Sequence, residues 1–203
     1  MNRPQMALWL GTALSVAFSA FGCTPGGVGD PCTPEDEYQP GFQGYGVGEV
    51  NIESRSFQCE TRLCLVNHFQ GRVSCPYGQK QAIVDTAAPE SGARCHLPDG
   101  TGNVVTVPVD PQLIDRRADD AVYCSCRCNG PDKNARYCTC PSGYSCTKLT
   151  PDLGLGGDQL AGSYCVRSGT QYDPIQTHLG DVCNAQLANC PSDNTSSASD
   201  NPP

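Results

Sequence analysis

Ala121-Val-Tyr-Cys-Ser-Cys126 and Ala135-Arg-Tyr-Cys-Thr-Cys140 are two copies of one pattern, A-x-Y-C-[ST]-C, at an offset of fourteen residues. Between them Asn129-Gly-Pro-Asp-Lys-Asn134 has the composition of a hydrophilic turn. The repeat predicts a β-hairpin over 121–140. Period-two alternation puts Val122, Cys124, Cys126 and Cys128 on one face, with Tyr123, Ser125 and Arg127 on the other. Cys138 and Cys140 alternate with Tyr137 and Thr139 in the same way. Cysteines two apart on one strand are poorly placed to bridge each other, so their partners must lie elsewhere.

The cysteines around this ribbon decide the fold class. Fourteen follow residue 30: Cys32, Cys59, Cys64, Cys75, Cys95, Cys124, Cys126, Cys128, Cys138, Cys140, Cys146, Cys165, Cys183 and Cys190. No two stand three apart, so there is no C-x-x-C, which excludes thioredoxin-like, zinc-ribbon and c-type haem chemistry. An even set of this size predicts disulfides whose pairing the spacing does not give. The expected fold is small, mainly β and disulfide-rich. It has short strands and hairpins, long loops and at most one short helix.

Upstream, Val50 and Ile52 alternate with polar neighbours, and Leu63–Val66 and Arg72–Cys75 are short β-type runs. Ala87 to Gly102 is loop-like and ends in the turn Pro98-Asp-Gly-Thr-Gly102, before a strand candidate over 103–109. Asp110 and Pro111 are placed to open a helix running towards Ala118. Downstream, 153–162 is a Gly-rich loop, Gly162–Val166 a last strand candidate, and Cys183 and Cys190 close a small loop. Residues 191–203 (PSDNTSSASDNPP) have a disordered-tail composition.

At the other end, Arg3 precedes a fifteen-residue apolar run, Met6–Ala20, which is short for a membrane span and ends in small residues. Residues 1–22 are read as a signal peptide. Ala20-Phe21-Gly22-Cys23 resembles the lipobox of bacterial lipoproteins. The resemblance implies lipid attachment at Cys23 and, with Thr24 following, sorting to the outer membrane of a Gram-negative cell, facing the periplasm or the cell surface. Cysteine parity agrees independently: of fifteen cysteines, removing Cys23 leaves fourteen to pair. Residues 23–48, rich in Gly, Pro and acid, read as a lipidated tether pinned once by Cys32, and 49–190 as the cysteine-rich ectodomain.

Cleavage before Cys23 leaves 181 residues, of which 30 are Leu, Ile, Val or Phe, and takes the net charge from −8 to −9 by removing Arg3. That apolar fraction is too low for a conventional core, so disulfides are expected to replace one. The negative balance excludes a phosphate-tracking, nucleic-acid-binding surface. Cys138-Thr-Cys-Pro-Ser-Gly-Tyr-Ser-Cys146 resembles the second half of an EGF-like module, with no calcium site carried over.

Catalytic patterns are absent. His68, His96 and His178 stand on separate segments without H-E-x-x-H, and no serine lies in G-x-S-x-G. Cys95-His96 is expected to hold a bridged cysteine, and Asp119-Asp120 beside Arg116-Arg117 a solvated charge run. Asp99-Gly-Thr-Gly-Asn103 has one carboxylate, too few for a calcium loop. The eight tyrosines suit packing over disulfides and also binding surfaces. The leading expectation is therefore a non-enzymatic, lipid-anchored binding or envelope-structural module without a cofactor, open to a protein or glycan ligand. Soft-metal (Cu or Zn) sequestration by the 124–140 ribbon is the alternative. A hydrolase with no visible constellation stands third.

Overall fold

A computed structural model describes residues 25–80, 94–150, 161–173 and 181–190. The signal segment, Cys23, the Gly-rich loop over 153–160, His178 and the 191–203 tail lie outside them.

The fold is small, mainly β and disulfide-rich, built on two three-stranded antiparallel sheets. The first has the order β1-β2-β3, with β1 Val50–Glu53, β2 Cys64–Asn67 and β3 Val122–Cys124. β2 is buried along its whole length because both of its faces are covered. Val66, Val122 and Cys124 pack with Cys32, Cys59, Cys64, Phe69 and Tyr45 on one side. Leu65 and Tyr123 pack on Val166 on the other, and Leu65 sits opposite Tyr123 in the register.

Val166 belongs to the second sheet, ordered β4-β6-β5, with β4 Arg127–Asn129, β5 Tyr144–Thr150 and β6 Gly162–Arg167. Tyr123 joins the sheets in two ways. Its ring packs on Val166, and its hydroxyl accepts the Arg167 backbone N–H at 2.9 Å.

The expected 121–140 hairpin does not form. The chain runs straight on through and past the first copy, giving β3 to one sheet and β4, just after the copy, to the other, with the buried Ser125 at the crossing. Ser125 N–H donates to Leu63 O (3.0 Å), and its hydroxyl donates to Cys165 O (2.8 Å). The second copy is irregular. β4 pairs with β6 instead, Arg127 opposite Tyr164, because β6 offers buried Tyr164 and Val166 while 135–140 buries no side chain fully. Burial of apolar area selects the partner. Alternation itself holds, since Val122 and Cys124 face one core and Tyr123 the other.

The helix expected after Asp110 is displaced. α1 is a single turn, Ala118–Ala121, and a 3-10 turn covers Glu35–Tyr38. Residues 112–114 are taken up by tertiary pairing: Gln112 N–H donates to Pro76 O and Ile114 N–H to Asp181 O, at 2.9 and 3.0 Å. Nor is 103–109 a continuous strand. It holds isolated bridges, His96 with Val104 and Gln79 with Val109, over a small core of Cys75, Cys95, Leu97, Val105 and Val109. Arg72–Cys75 likewise closes as a bridge rather than a strand.

The largest departure concerns 25–48, whose composition reads as a tether. The described part of this segment is built into the body. Gly29 N–H donates to Cys124 O and Cys124 N–H to Asp30 O, both at 2.8 Å, so the segment lies along β3. Tyr45 and Gly71 exchange two backbone hydrogen bonds of 2.9 Å. There Gly44 (φ 103°) lies so close to Gly71 that a Cβ would fall 2.7 Å from its carbonyl, which only glycine permits.

Candidate functional site

The densest chemistry lies at the crossing between the sheets. Cys126, Cys128, Cys138, Cys140, Cys146 and Cys165 form three bridges there: Cys126–Cys138, Cys128–Cys146 and Cys140–Cys165. Cys165 is fully buried on the central strand β6, whereas Cys146 on β5 is exposed. The remaining bridges are Cys32–Cys64, Cys59–Cys124, Cys75–Cys95 and Cys183–Cys190. All fourteen cysteines are paired, none with a cysteine two residues away.

Sulfurs of different bridges come close. Cys165 Sγ lies 3.5 Å from Cys126 Sγ and 3.7 Å from Cys138 Sγ. Three trios have sulfurs within 4.8 Å of one another: Cys32/Cys59/Cys124, Cys126/Cys138/Cys165 and Cys128/Cys140/Cys165. Each trio is one disulfide plus a single sulfur of its neighbour. Soft ions bind thiolates, so these trios are ligand sets only after reduction.

Other candidates are separated. His68 stacks on Tyr172 (4.1 Å between centroids, 14° between planes), and its Nδ1 is 3.0 Å from Val47 O. Burial, reinforced by the Arg116 charge, holds its pKa below the usual value. His96 is exposed and pairs through its backbone with Val104, and Cys95 is bridged to Cys75. The Asp99 carboxylate accepts from the N–H and hydroxyl of Thr101, at 3.0 and 2.7 Å, which closes a local turn and pulls its pKa down. Of the charge run, Arg117 and Asp119 form a half-buried ion pair at 3.1 Å, while Arg116 turns inward, 5% exposed. Arg116 donates to the carbonyls of Asn67, His68 and Thr170 and lies over the Tyr172 ring.

Sequence reasoning also missed a second buried cation. Arg72, fully buried, donates to Phe42 O (2.9 Å) and Glu37 O. The Glu37 side chain, equally buried, accepts the N–H groups of Val73 and Ser74. Burial raises the pKa of this carboxyl against the pull of those bonds. In the sequence both residues look like ordinary surface charges.

These groups hold chain segments together, and among the described residues no nucleophile, base and orienting group converge. Among them, too, no helix is long and apolar enough to cross a membrane. Seven disulfides fit an oxidising or extracellular compartment. Scans of family models, curated proteins and solved structures found no match to this chain.

Proposed function

We propose that the chain is an exported protein anchored by a lipid on Cys23, and that its body is a rigid, non-enzymatic binding or envelope-structural module. The supporting observation is the closed set of seven bridges, which uses every cysteine from Cys32 to Cys190, so that Cys23 is the one cysteine of this sequence outside the set. Acyl chains there, at about 0.8 kcal/mol per buried methylene, give stable attachment without a spanning helix. The lipobox-like residues 20–23 and the apolar run before them agree with this reading. The outer membrane is the destination that fits Thr24.

Labelled palmitate tests it. The label enters the native chain, and Cys23→Ser abolishes labelling and releases the protein from the membrane fraction. Equal labelling of the variant overturns the proposal. Soft-metal binding is the second reading, favoured by the three sulfur trios and requiring reduced thiols. Two or more titratable thiols in the isolated protein, with stoichiometric zinc or copper, would establish it.

A further inference from the structure

We propose that the loop 55–62 is a membrane-contacting surface, with the Phe57 ring seated among the headgroups of the bilayer that holds Cys23. The inference rests on reading Cys23 as acylated, and it comes from where the fold begins. Gly26 N–H donates to Gln58 O (2.7 Å) and Gly26 O accepts Glu60 N–H (2.9 Å), so the body takes hold of the chain three residues after the anchor. Three residues reach at most about 11 Å. The polar layer of a leaflet is itself roughly 5–7 Å deep. A body tied so closely lies on the bilayer, and the surface around Gly26 faces it.

That surface is the 55–62 loop. Phe57 is 80% exposed, the highest value among the exposed large apolar side chains described. It is held outward on a braced frame. Cys59 is bridged to Cys124, Thr61 Oγ1 donates to Ser125 O (2.5 Å), and the Gln58 side chain exchanges two bonds with the Thr33 backbone. The Arg62 guanidinium lies 4.3 Å from the centre of the Phe57 ring. An aromatic ring beside a guanidinium matches the bilayer interface, where the ring meets the acyl boundary and the cation meets phosphate. Arg55 and Arg62 are exposed and offset Glu60 and the neighbouring Asp30, so this face is close to neutral in a cleaved chain of −9. Anionic headgroups would therefore repel the acidic remainder of the molecule more than this face, whose Arg62 stands beside the ring. One ring does not hold a protein on a membrane unaided, but a short tether supplies a high effective concentration, so the ring needs only to orient the body.

The mature chain has no tryptophan, because the chain's single one is Trp9, so Phe57→Trp provides a unique probe. The lipidated variant is reconstituted into vesicles of zwitterionic and anionic phospholipid carrying headgroup-level quenchers. The expected result is flotation with the vesicles, blue-shifted emission, quenching by the lipid and loss of acrylamide quenching. Leu187→Trp, 72% exposed on the Cys183–Cys190 loop, serves as the reference and is expected to stay accessible to acrylamide. Flotation with Phe57→Trp as accessible as Leu187→Trp, or with both equally quenched by lipid, overturns the docking face and leaves the anchor standing. Failure to float overturns the anchor and this proposal with it.

Discussion

Cys126 and Cys165 are neighbours without being partners: their Sγ atoms are 3.5 Å apart, and Cys165 N–H donates to Cys126 O at 3.0 Å. Thiol–disulfide exchange needs a thiolate within reach of a bridged sulfur, and this pair is already there. In Cys138→Ser the orphaned Cys126 thiolate attacks Cys165, forms Cys126–Cys165 and expels the Cys140 thiolate. Alkylation and peptide mapping are therefore expected to find the free thiol on Cys140, which is less buried than Cys126. A free thiol that stays on Cys126 contradicts the exchange.

Sulfur also forms part of the core. Of the ten buried residues around β2 and β3, four are cysteines: Cys32, Cys59, Cys64 and Cys124. Losing one native bridge in a small secreted domain costs about 2–5 kcal/mol, while whole domains are stable by only about 5–15 kcal/mol. Complete reduction and alkylation are expected to unfold the body. Near-UV dichroism follows it, because Tyr123 is fully buried and held by Val166 and Arg167. A spectrum that survives reduction would show that apolar packing alone carries the fold.

β1, β2 and β6 are legible because alternating or continuous apolar residues mark them. β5 is not, since Tyr144-Ser-Cys-Thr-Lys-Leu-Thr150 is polar and ladders onto β6 at the edge of its sheet. Residues 25–48 mislead for another reason. Their attachment runs largely through backbone groups, as at Asp30–Cys124 and Tyr45–Gly71, and composition does not report backbone pairing. Glycine and acidic residues looked flexible where the chain is clamped. The cysteine set was readable from parity, but bridges span from 7 to 65 residues of sequence, so their pairing depended on the assembled sheets. Arg72, Arg116 and Glu37 were hidden because one sequence cannot separate a charge bonded to buried carbonyls or N–H groups from a solvated one.

Glu37 gives a test of that hidden layer. Its two carboxylate oxygens accept from Val73 and Ser74 N–H beside Arg72. Glu37→Gln turns an amide donor against one of those N–H groups and removes the carboxylate charge beside Arg72, which keeps only its backbone carbonyl partners. Breaking a buried pair costs roughly 3–5 kcal/mol, and denaturant unfolding at pH 7 should show a loss of that order. The sign with pH follows from burial. The folded pKa lies above the ordinary 4.5, so the native state binds the proton more tightly than the unfolded chain. The native protein therefore gains stability as pH falls through the folded pKa towards 4.5, and the variant does not. The gap between them should widen on acidification, and a narrowing gap would mean that the bonds outweigh the burial.

His68 carries the opposite sign. It is stacked on Tyr172, its carbonyl accepts Arg116 Nε at 2.6 Å, and its own Nδ1 is engaged with Val47 O. Burial comes first and the Arg116 charge adds to it, so the folded pKa lies below the ordinary 6.5. Between those two values the unfolded chain binds more protons than the native one, so stability falls as pH drops from 6.5 and levels off below the folded pKa. His68 also has φ 53°, a left-handed conformation that asparagine tolerates. His68→Asn therefore removes the imidazole with little backbone strain and loses the stack, worth about 0.5–1.5 kcal/mol. The variant should be less stable than the native chain by that amount at pH 7.5, and the difference should shrink as the pH falls below 6.5, because the unfolded imidazole takes up a proton that the native one binds less tightly. Urea unfolding at half-unit steps from pH 5 to 8 measures it. A difference that holds constant or grows on acidification would place the imidazolium in a favourable setting, and burial and the Arg116 charge would then not govern His68.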